Sequence, residues 1–406
     1  MTNRTVKLGR WLVSWLLSLG WVIGLSQAAI AAPIPQSSVQ LAFTLPRVTA
    51  ERRLFLPLEA EFLGEYKLPS TQFNDTVVGG LSAITYDRQR DRFYALSDDR
   101  SEFAPARFYT MRLELDSSDA SKPSIQQVAI ESVTSLKDEA GQPFAKGSLD
   151  PEGIVLSPMR SLFIASEGIP PRDIPPFVKE FDLATGQVKR SLPMPERYLA
   201  AQEADQPAQG MQNNLGFESL TMNPGSYGSS GLEPFRLFAV TESALLQDLD
   251  PDATQTRNRM LHYMVEAGRS LVVSEHLYLL EPAPIGSIAH GLTEILSLDQ
   301  GGHFLSLERS FDGSKFSVQL FQLASGGASD ISNRESLKGD LRGISPIRKQ
   351  LLLDLNQLNI PLDNLEGMTL GPKLPDGSTS LVLVSDDNFS SKQVTQFLIF
   401  RLKGLK

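Results

Sequence analysis

The sequence predicts an all-β fold, and within that class a β-propeller of five blades. Apolar runs are short, rich in Val, Ile, Leu, Phe and Tyr, and often interrupted by Gly and Pro, which is typical of strands and turns. One pattern of strand, turn and strand occurs five times along the chain. A further strand-like segment follows each copy, and a hairpin extended in this way is a propeller blade.

The five copies begin at Leu81, Pro151, Phe217, Leu292 and Leu365. Their turns carry the Asp and Gly residues that hairpins favour. The last copy ends near Leu402 and leaves no room for a fourth strand, so we expect residues 59–69 to close the ring by pairing with it. Six blades is the alternative, because residues 347–358 fit none of the five copies.

The N-terminal residues predict a signal peptide over 1–31. A basic start is followed by an apolar stretch and by small residues, with cleavage expected after Ala28 or Ala31. An uncleaved membrane anchor is the alternative. Residues 32–58, rich in Pro, Ser and Gln, predict a linker, and residues 59–406 the propeller domain. We therefore expect an exported protein, periplasmic or extracellular, with no membrane contact beyond the signal segment.

Charge and cysteine content exclude several classes of function. The net charge of −9 argues against a nucleic acid or an anionic membrane as partner. The chain contains no Cys, which excludes thiol nucleophiles and Cys-ligated metal sites. Without disulfides, an exported protein needs a large core, a closed topology or a bound metal for stability.

Aligning the five copies places acidic residues in two columns. The column at the end of the second strand contains Asp98, Glu167, Glu242, Glu308 and Asp386. The column at the start of the first strand contains Ser82, Glu152, Glu218, Thr293 and Glu366. Both columns lie at the same end of a hairpin, so we expect up to eight carboxylates at one mouth of the channel. The alternative is that these acids cap strand ends and accept hydrogen bonds from the next blade.

Clustered carboxylates repel each other unless they take up protons or a cation. Oxygen ligands alone select hard cations, Ca²⁺ before Mg²⁺ or Mn²⁺. The candidate metal ligands are the second-column acids with the Asp that follows in the first and last copies: Asp98, Asp99, Glu167, Glu242, Glu308, Asp386 and Asp387. The candidate catalytic residues are Glu152, Glu218 and Glu366.

Two arginines that follow these acids are candidate substrate-binding residues. Arg100 and Arg309 could bind phosphate oxygens bidentately beside a metal ion. For each of them, a solvated surface arginine is the alternative. The sequence has no Gly-x-Ser-x-Gly elbow, no phosphate-binding P-loop and no His-Glu-x-x-His helix.

Four motifs resemble the phytase-like domain family, which is described as having esterase-like activity of phytase. They are "DPEGIVL", "NNLGFESLTMNP", "FAVTESAL" and "NLEGMTL" with "LVLVSDDNF", and the resemblance extends from about Leu63 to Leu402. It implies hydrolysis of a small-molecule phosphate monoester, with Ca²⁺ dependence by similarity to the β-propeller phytases. It assigns no catalytic residue.

The residues are also compatible with three other functions. A non-catalytic binding or scaffold propeller would use metal only to join blades, and a lactonase or carboxylesterase would use it on a carbonyl. A glycosidase would use two of the carboxylates as acid and as nucleophile or base. Sugar sites often present Trp, however, and Trp11, Trp15 and Trp21 all lie in the predicted signal segment.

Overall fold

The computed structural model describes residues 54–201, 207–223 and 233–405. The predicted signal peptide and residues 32–53 of the predicted linker lie outside the described residues. Inside that linker, Leu56 and Leu58 pack against the apolar cluster between the last two blades. Among the described residues, none of the helices has the length and apolar character to span a membrane.

The described residues form 22 strands, numbered here in chain order. The first eleven are β1 (Glu59–Lys67), β2 (Thr71–Phe73), β3 (Thr76–Val78), β4 (Leu81–Asp87), β5 (Arg92–Ser97), β6 (Arg107–Asp116), β7 (Ser124–Ser135), β8 (Pro151–Leu156), β9 (Ser161–Ser166), β10 (Phe177–Asp182) and β11 (Val188–Ser191). The others are β12 (Phe217–Met222), β13 (Phe235–Thr241), β14 (Arg257–Glu266), β15 (Arg269–Leu279), β16 (Ala289–Ser297), β17 (His303–Phe311), β18 (Phe316–Ala324), β19 (Arg348–Asp354), β20 (Asn364–Lys373), β21 (Thr379–Asp386) and β22 (Gln396–Lys403). Single 3-10 turns lie at Pro170–Arg172, Glu196–Tyr198, Leu246–Asp248 and Leu355–Leu358.

Five four-stranded antiparallel sheets are the five blades. Blades 1 to 4 are β4–β7, β8–β11, β12–β15 and β16–β19, each with its strands in sequence order. Blade 5 has the order β1-β22-β21-β20, and β2 pairs with β3 in a separate hairpin. The first strands of the blades contact one another in a closed cycle, from β4 through β8, β12, β16 and β20 back to β4. The prediction of a five-bladed propeller is confirmed.

The ring closes as predicted, between the two ends of the domain. β1 pairs antiparallel with β22, from Glu59 opposite Lys403 to Lys67 opposite Gln396. The alternative of a sixth blade is wrong, because Arg348–Asp354 is the outer strand of blade 4 and pairs with β18. This strand was hard to recognise because its residues alternate only weakly between exposed and half-buried positions.

The apolar core lies between adjacent blades. Phe108 of blade 1 and Ile154 of blade 2, for example, belong to one buried cluster, and Phe238 and Phe304 join blades 3 and 4 in another. Removing apolar surface from water at each blade-to-blade contact stabilises the ring by about 25 cal/mol per Å². The first strands are therefore held rigidly around the axis, which fixes the positions of the side chains at their ends.

Candidate functional site

A β-bulge occurs at the same position in every blade. The pairing of the first strand with the second skips one residue, which is Ser82, Glu152, Glu218, Thr293 or Glu366. A bulge leaves its extra residue unpaired and re-aims the side chain. The alignment of these five residues with one another is therefore confirmed, although Thr293 lies four residues into β16 and not at its start.

The two hydroxyl residues at the bulges join neighbouring blades. Ser82 Oγ donates to the carbonyl oxygen of Glu152 at 3.1 Å, and Thr293 Oγ1 donates to that of Leu365 at 3.3 Å. The carboxyl groups of Glu152, Glu218 and Glu366 instead line the cavity at the mouth. The side chain at the bulge therefore bonds to the next blade in blades 1 and 4, and it lines the cavity in blades 2, 3 and 5.

The second column differs from the prediction in blade 4. Just before the bulge, the first strands pair Leu81 with Ser97, Pro151 with Ser166, Phe217 with Thr241, Leu292 with Glu308 and Leu365 with Ser385. The next residue along each second strand is Asp98, Glu167, Glu242, Arg309 or Asp386. Arg309 therefore occupies in blade 4 the place that an acid occupies in the other four blades.

Glu308 lies away from the mouth, contrary to the prediction. Its Oε1 accepts hydrogen bonds from the hydroxyl of Tyr278 and from Nζ of Lys349, and its Oε2 accepts one from the backbone N–H of Glu281. Tyr278 and Lys349 belong to the outer strands β15 and β19. Because successive side chains of a strand point to opposite faces, an alignment error of one residue exchanged Glu308 with Arg309.

The mouth contains a cavity of about 1410 Å³. Six acids of the two columns line the cavity: Asp98, Glu152, Glu218, Glu242, Glu366 and Asp386. A seventh, Glu167, lies within reach of two of them. The structure therefore brings together seven acids from four blades.

The three closest acids form a possible cation site. Carboxylate oxygens of Glu167, Glu218 and Glu242, all buried, lie within 4.8 Å of one another. Glu167 Oε1 also accepts the backbone N–H of Gly216 at 2.5 Å. Elsewhere at the mouth, Oδ1 of Asp98 is buried without a hydrogen-bond partner among the described residues. Several carboxylate oxygens and one unsatisfied acceptor fit a hard cation such as Ca²⁺.

Burial raises the pKa of all seven carboxyl groups. For Glu218 and Glu152 the negative charges of neighbouring carboxylates raise the pKa further. The pKa of Glu366 rises to about 8 and that of Asp386 to about 7, in each case chiefly because the group is buried. Desolvation and like charges both disfavour the ionised form. Unless a cation binds, several of these groups hold protons near neutral pH.

Arg309 is the one guanidinium placed within the acid column. Its Nη2 donates to Glu242 Oε1 at 2.9 Å, its Nη1 donates to Asn364 Oδ1 at 2.6 Å, and Nη1 lies 3.7 Å from Glu366 Oε1. The side chain is 12% exposed, and its Nε has no partner among the described residues. Arg309 of blade 4 thus compensates charge on Glu242 of blade 3 and on Glu366 of blade 5.

Arg100 lies at the rim and is more accessible. It contacts both carboxylate oxygens of Asp150 at 2.5 Å and donates to Asn214 Oδ1 at 2.5 Å, and its side chain is 34% exposed. Asp150 and Asn214 were not among the predicted site residues. The sequence could have identified Asp150, because it lies two positions before the bulge residue Glu152, just as Asn364 lies two positions before Glu366.

Asp99 does not join the acid cluster, although it borders the cavity. It accepts hydrogen bonds from Arg107 Nη1 at 2.7 Å and from the backbone N–H groups of Glu102, Phe103 and Ala104. Arg107 is almost fully buried, so the pair is a local, compensated contact. These bonds match the alternative interpretation, in which an acid after a strand caps the backbone that follows.

Asp387 has the same role in blade 5. Its Oδ1 accepts the backbone N–H groups of Gly80 at 2.9 Å and Phe389 at 3.0 Å, and its Oδ2 accepts the hydroxyl of Thr395 at 2.9 Å. Gly80 belongs to blade 1, so this carboxylate also joins the first and last blades. The second Asp of each Asp-Asp pair therefore anchors a loop, while the first faces the mouth.

Comparison with known proteins gives one family and several distant structures. The family described as "Phytase-like: Esterase-like activity of phytase" matches residues 76–389. Among curated proteins, none matches the sequence. An endo-arabinase from Bacteroides thetaiotaomicron is 10% identical with a TM-score of 0.37, covering 82% of this chain and 97% of that one. A DUF4221 member from Bacteroides vulgatus is 10% identical with a TM-score of 0.34, covering 85% and 98%.

Proposed function

The chain belongs to the phytase-like family, and from this premise we propose that it is a metal-dependent phosphoesterase acting on small phosphate monoesters at the propeller mouth. The observation that carries this proposal is the triplet of Glu167, Glu218 and Glu242, whose buried oxygens lie within 4.8 Å of one another. Only Arg309 contacts this triplet as a cation among the described residues. Such a cluster is suited to a hard divalent cation.

Glu167, Glu218 and Glu242 would hold Ca²⁺, with Asp98 as a further oxygen donor from blade 1. A bound Ca²⁺ supplies charge neutralisation for phosphate oxygens and activation of water. Asp386 and Glu152 extend the acidic wall on either side of Asp98. Asp99, Asp387 and Glu308 have no place in this proposal, because protein donors already occupy their oxygens.

Glu366 is suited to act as the general acid. Burial raises its pKa to about 8 in the metal-free protein, and Glu366 is not among the proposed Ca²⁺ ligands, so its carboxyl group is suited to hold a proton at neutral pH. Asn364 Nδ2 donates to Oε1 at 2.8 Å, which leaves Oε2 to carry the proton. A neutral carboxylic acid beside the reacting group can protonate the leaving alcohol oxygen. Glu152, at the equivalent bulge of blade 2, would orient the attacking water.

Arg100 is suited to bind the phosphate group. Its guanidinium is oriented by Asp150 and Asn214 and remains one-third exposed at the rim of the cavity. A planar guanidinium binds two phosphate oxygens at once. Arg309 is enclosed by Glu242 and Asn364, so its role in the proposal is to hold those groups in place.

The experiment is metal analysis of the purified protein, followed by assays with p-nitrophenyl phosphate, phytate and p-nitrophenyl acetate, with and without Ca²⁺. We expect phosphate release that chelation abolishes and that Glu218→Gln removes without lowering the melting temperature. Turnover of the acetate alone would replace this proposal with a carboxylesterase. Metal binding that raises the melting temperature without any turnover would replace it with a scaffold.

We also propose that the protein is exported and works in the periplasm or outside the cell. The support is the sequence of residues 1–31, which lie outside the described residues. Expression of the full chain, with mass analysis of the secreted or periplasmic form, tests this. The expected product begins at Ala29 or Ala32, and an uncleaved protein in the membrane fraction would contradict it.

A further inference from the structure

An aromatic pair stands at the mouth between blades 1 and 5. The rings of Phe103 and Phe389 lie 4.8 Å apart at an angle of 38°, and both line the cavity. Phe103 is 72% exposed. A large apolar side chain gains little from such a position unless a ligand or partner covers it.

Both rings are held by the Asp residues that anchor the loops. Asp99 binds the backbone N–H of Phe103, and Asp387 binds that of Phe389. The second Asp in "SDDRSEF" and in "SDDNF" therefore fixes the loop that presents an aromatic ring. The two Asp-Asp pairs of the sequence occur in the two blades that carry the ring pair.

The backbone at Phe389 adopts a conformation that non-glycine residues avoid. Asn388 and Phe389 have φ values of 49° and 51°, in the left-handed region. Such strained residues persist only where their surroundings hold them, and they concentrate at ligand sites. A Cβ at Gly80 would lie 2.5 Å from the Phe389 ring, and the Arg107 guanidinium lies 5.8 Å from its centre. The ring is thus packed into one position.

A second apolar part of the cavity wall lies at blade 4. Ile288 is 72% exposed, and the rings of Phe311 and Phe316 stack at 4.5 Å. All three line the cavity, in which acidic side chains outnumber basic ones nine to four. A ligand carrying many phosphates meets strong repulsion here. A ligand with one phosphate and an apolar ring meets both the polar floor and the apolar walls.

We propose that Phe103 and Phe389 form an aromatic clasp that binds the alcohol part of the substrate, so that the preferred substrates are aryl phosphate monoesters. This inference rests on the proposed phosphoesterase function and narrows it. The phosphate group would lie toward Arg100 and the acidic floor, and the aryl ring between the clasp and Ile288. Phe103 then determines specificity and takes no part in bond cleavage.

The test compares binding of two non-hydrolysable probes, phenylphosphonate and methylphosphonate, to the mature protein with Ca²⁺ by calorimetry. We expect phenylphosphonate to bind the wild type more tightly. Phe103→Ala should reduce this preference roughly 2- to 12-fold, the contribution of one aromatic pair, and leave the affinity for methylphosphonate unchanged. Phe103→Tyr should keep the preference. Leu271→Ala, 44% exposed on the outer strand of blade 3, is the control that should change neither affinity.

The outcomes separate the two proposals. If both phosphonates bind the wild type equally, or if Phe103→Ala alters both to the same extent, the aryl preference is overturned and the phosphoesterase proposal stands. If neither phosphonate binds with Ca²⁺ present and p-nitrophenyl phosphate is not hydrolysed, both proposals are overturned. A fall in kcat/KM for p-nitrophenyl phosphate in Phe103→Ala, without a matching fall for glycerol phosphate, would support the clasp independently.

Discussion

Two clusters of buried ionisable groups in this propeller differ in how far their charges are paired. In blade 3, Arg259 is fully buried between Asp248 and Glu275, at 2.6 Å and 2.9 Å. Arg197 adds a second cation, 2.8 Å from Glu275. At the mouth, seven acids are brought together and Arg309 is the one arginine within their column.

The difference indicates which cluster serves stability and which serves a ligand. Buried charges are tolerated when each has a partner, and losing one partner is costly. The blade 3 cluster meets that condition with two carboxylates and two guanidinium groups, and Asp248 also accepts the backbone N–H of Leu337. The mouth does not meet it: burial raises the pKa of Glu218 and Glu366, and neighbouring carboxylates raise both further. A stable ring with an uncompensated mouth is suited to bind a cation.

The largest effect is expected in the compensated cluster. Arg259→Met leaves Asp248 and Glu275 buried beside a neutral side chain, so the free energy of unfolding should fall by about 3–5 kcal/mol. Urea denaturation at pH 7 measures it, with Lys338→Met on the surface as a control. A loss below about 1 kcal/mol would show that the blade 3 cluster is not compensated in the way described.

Removing the arginine from the mouth should cost less. Arg309→Met without Ca²⁺ should lower the free energy of unfolding by about 2 kcal/mol at pH 8, because hydrogen bonds to Glu242 and Asn364 are lost. At pH 5 the loss should be smaller, since neighbouring carboxyl groups then hold protons. Added Ca²⁺ should restore part of the stability at pH 8. An equal loss at both pH values would contradict this account.

The metal-free protein should lose stability as the pH rises. The folded-state pKa of Glu366 is about 8, above its ordinary value of 4.5. Its contribution to the free energy of unfolding is therefore fully present below about pH 4.5 and is lost as the pH rises through 8. Asp386 acts in the same direction up to about pH 7. Asp386 and Glu242 oppose ionisation of Glu366, while Arg309 and Asn364 favour it. Melting temperatures from pH 5 to 8.5 should fall with chelator and remain flatter with Ca²⁺.

The smallest change is expected from removing one of the uncompensated acids. Glu218→Gln relieves repulsion with Glu242 and Glu167, so without metal it should raise the free energy of unfolding at pH 8 by about 1 kcal/mol. The matched change in blade 3, Glu275→Gln, should lower it, because Glu275 is paired with two arginines. Chemical denaturation of both variants makes the comparison. The same sign in both would remove the distinction between the clusters.

Much of the fold was predictable because the information is local and repeated. Hairpin chemistry and apolar runs recur at each blade, and the unpaired segment at Glu59–Lys67 left one place for the closing strand. The bulge residues Glu152, Glu218 and Glu366 were found for the same reason. Glu308 was assigned to the acid column in place of Arg309, because it is the acid in "SLERS" and directly precedes Arg309. A shift of one residue in register reverses the face of a strand.

The remaining features depend on contacts that no local pattern reveals. Asp99 and Asp387, which directly follow members of the acid column, were expected to bind metal. Their partners are instead backbone N–H groups of the loops that follow and the buried Arg107. The blade 3 cluster joins Asp248 with Glu275 through Arg259, on separate segments of that blade. Such pairing is set by the three-dimensional packing of the blades.

Calorimetric titration of Ca²⁺ into the metal-free mature protein at pH 8 tests the central claim most directly. The account predicts saturable binding in the wild type and in Glu275→Gln provided that variant folds, and its loss in Glu218→Gln, which should keep a cooperative melting transition. No binding to the folded wild type, or undiminished binding in Glu218→Gln, would contradict the claim that the acids of the mouth hold a cation.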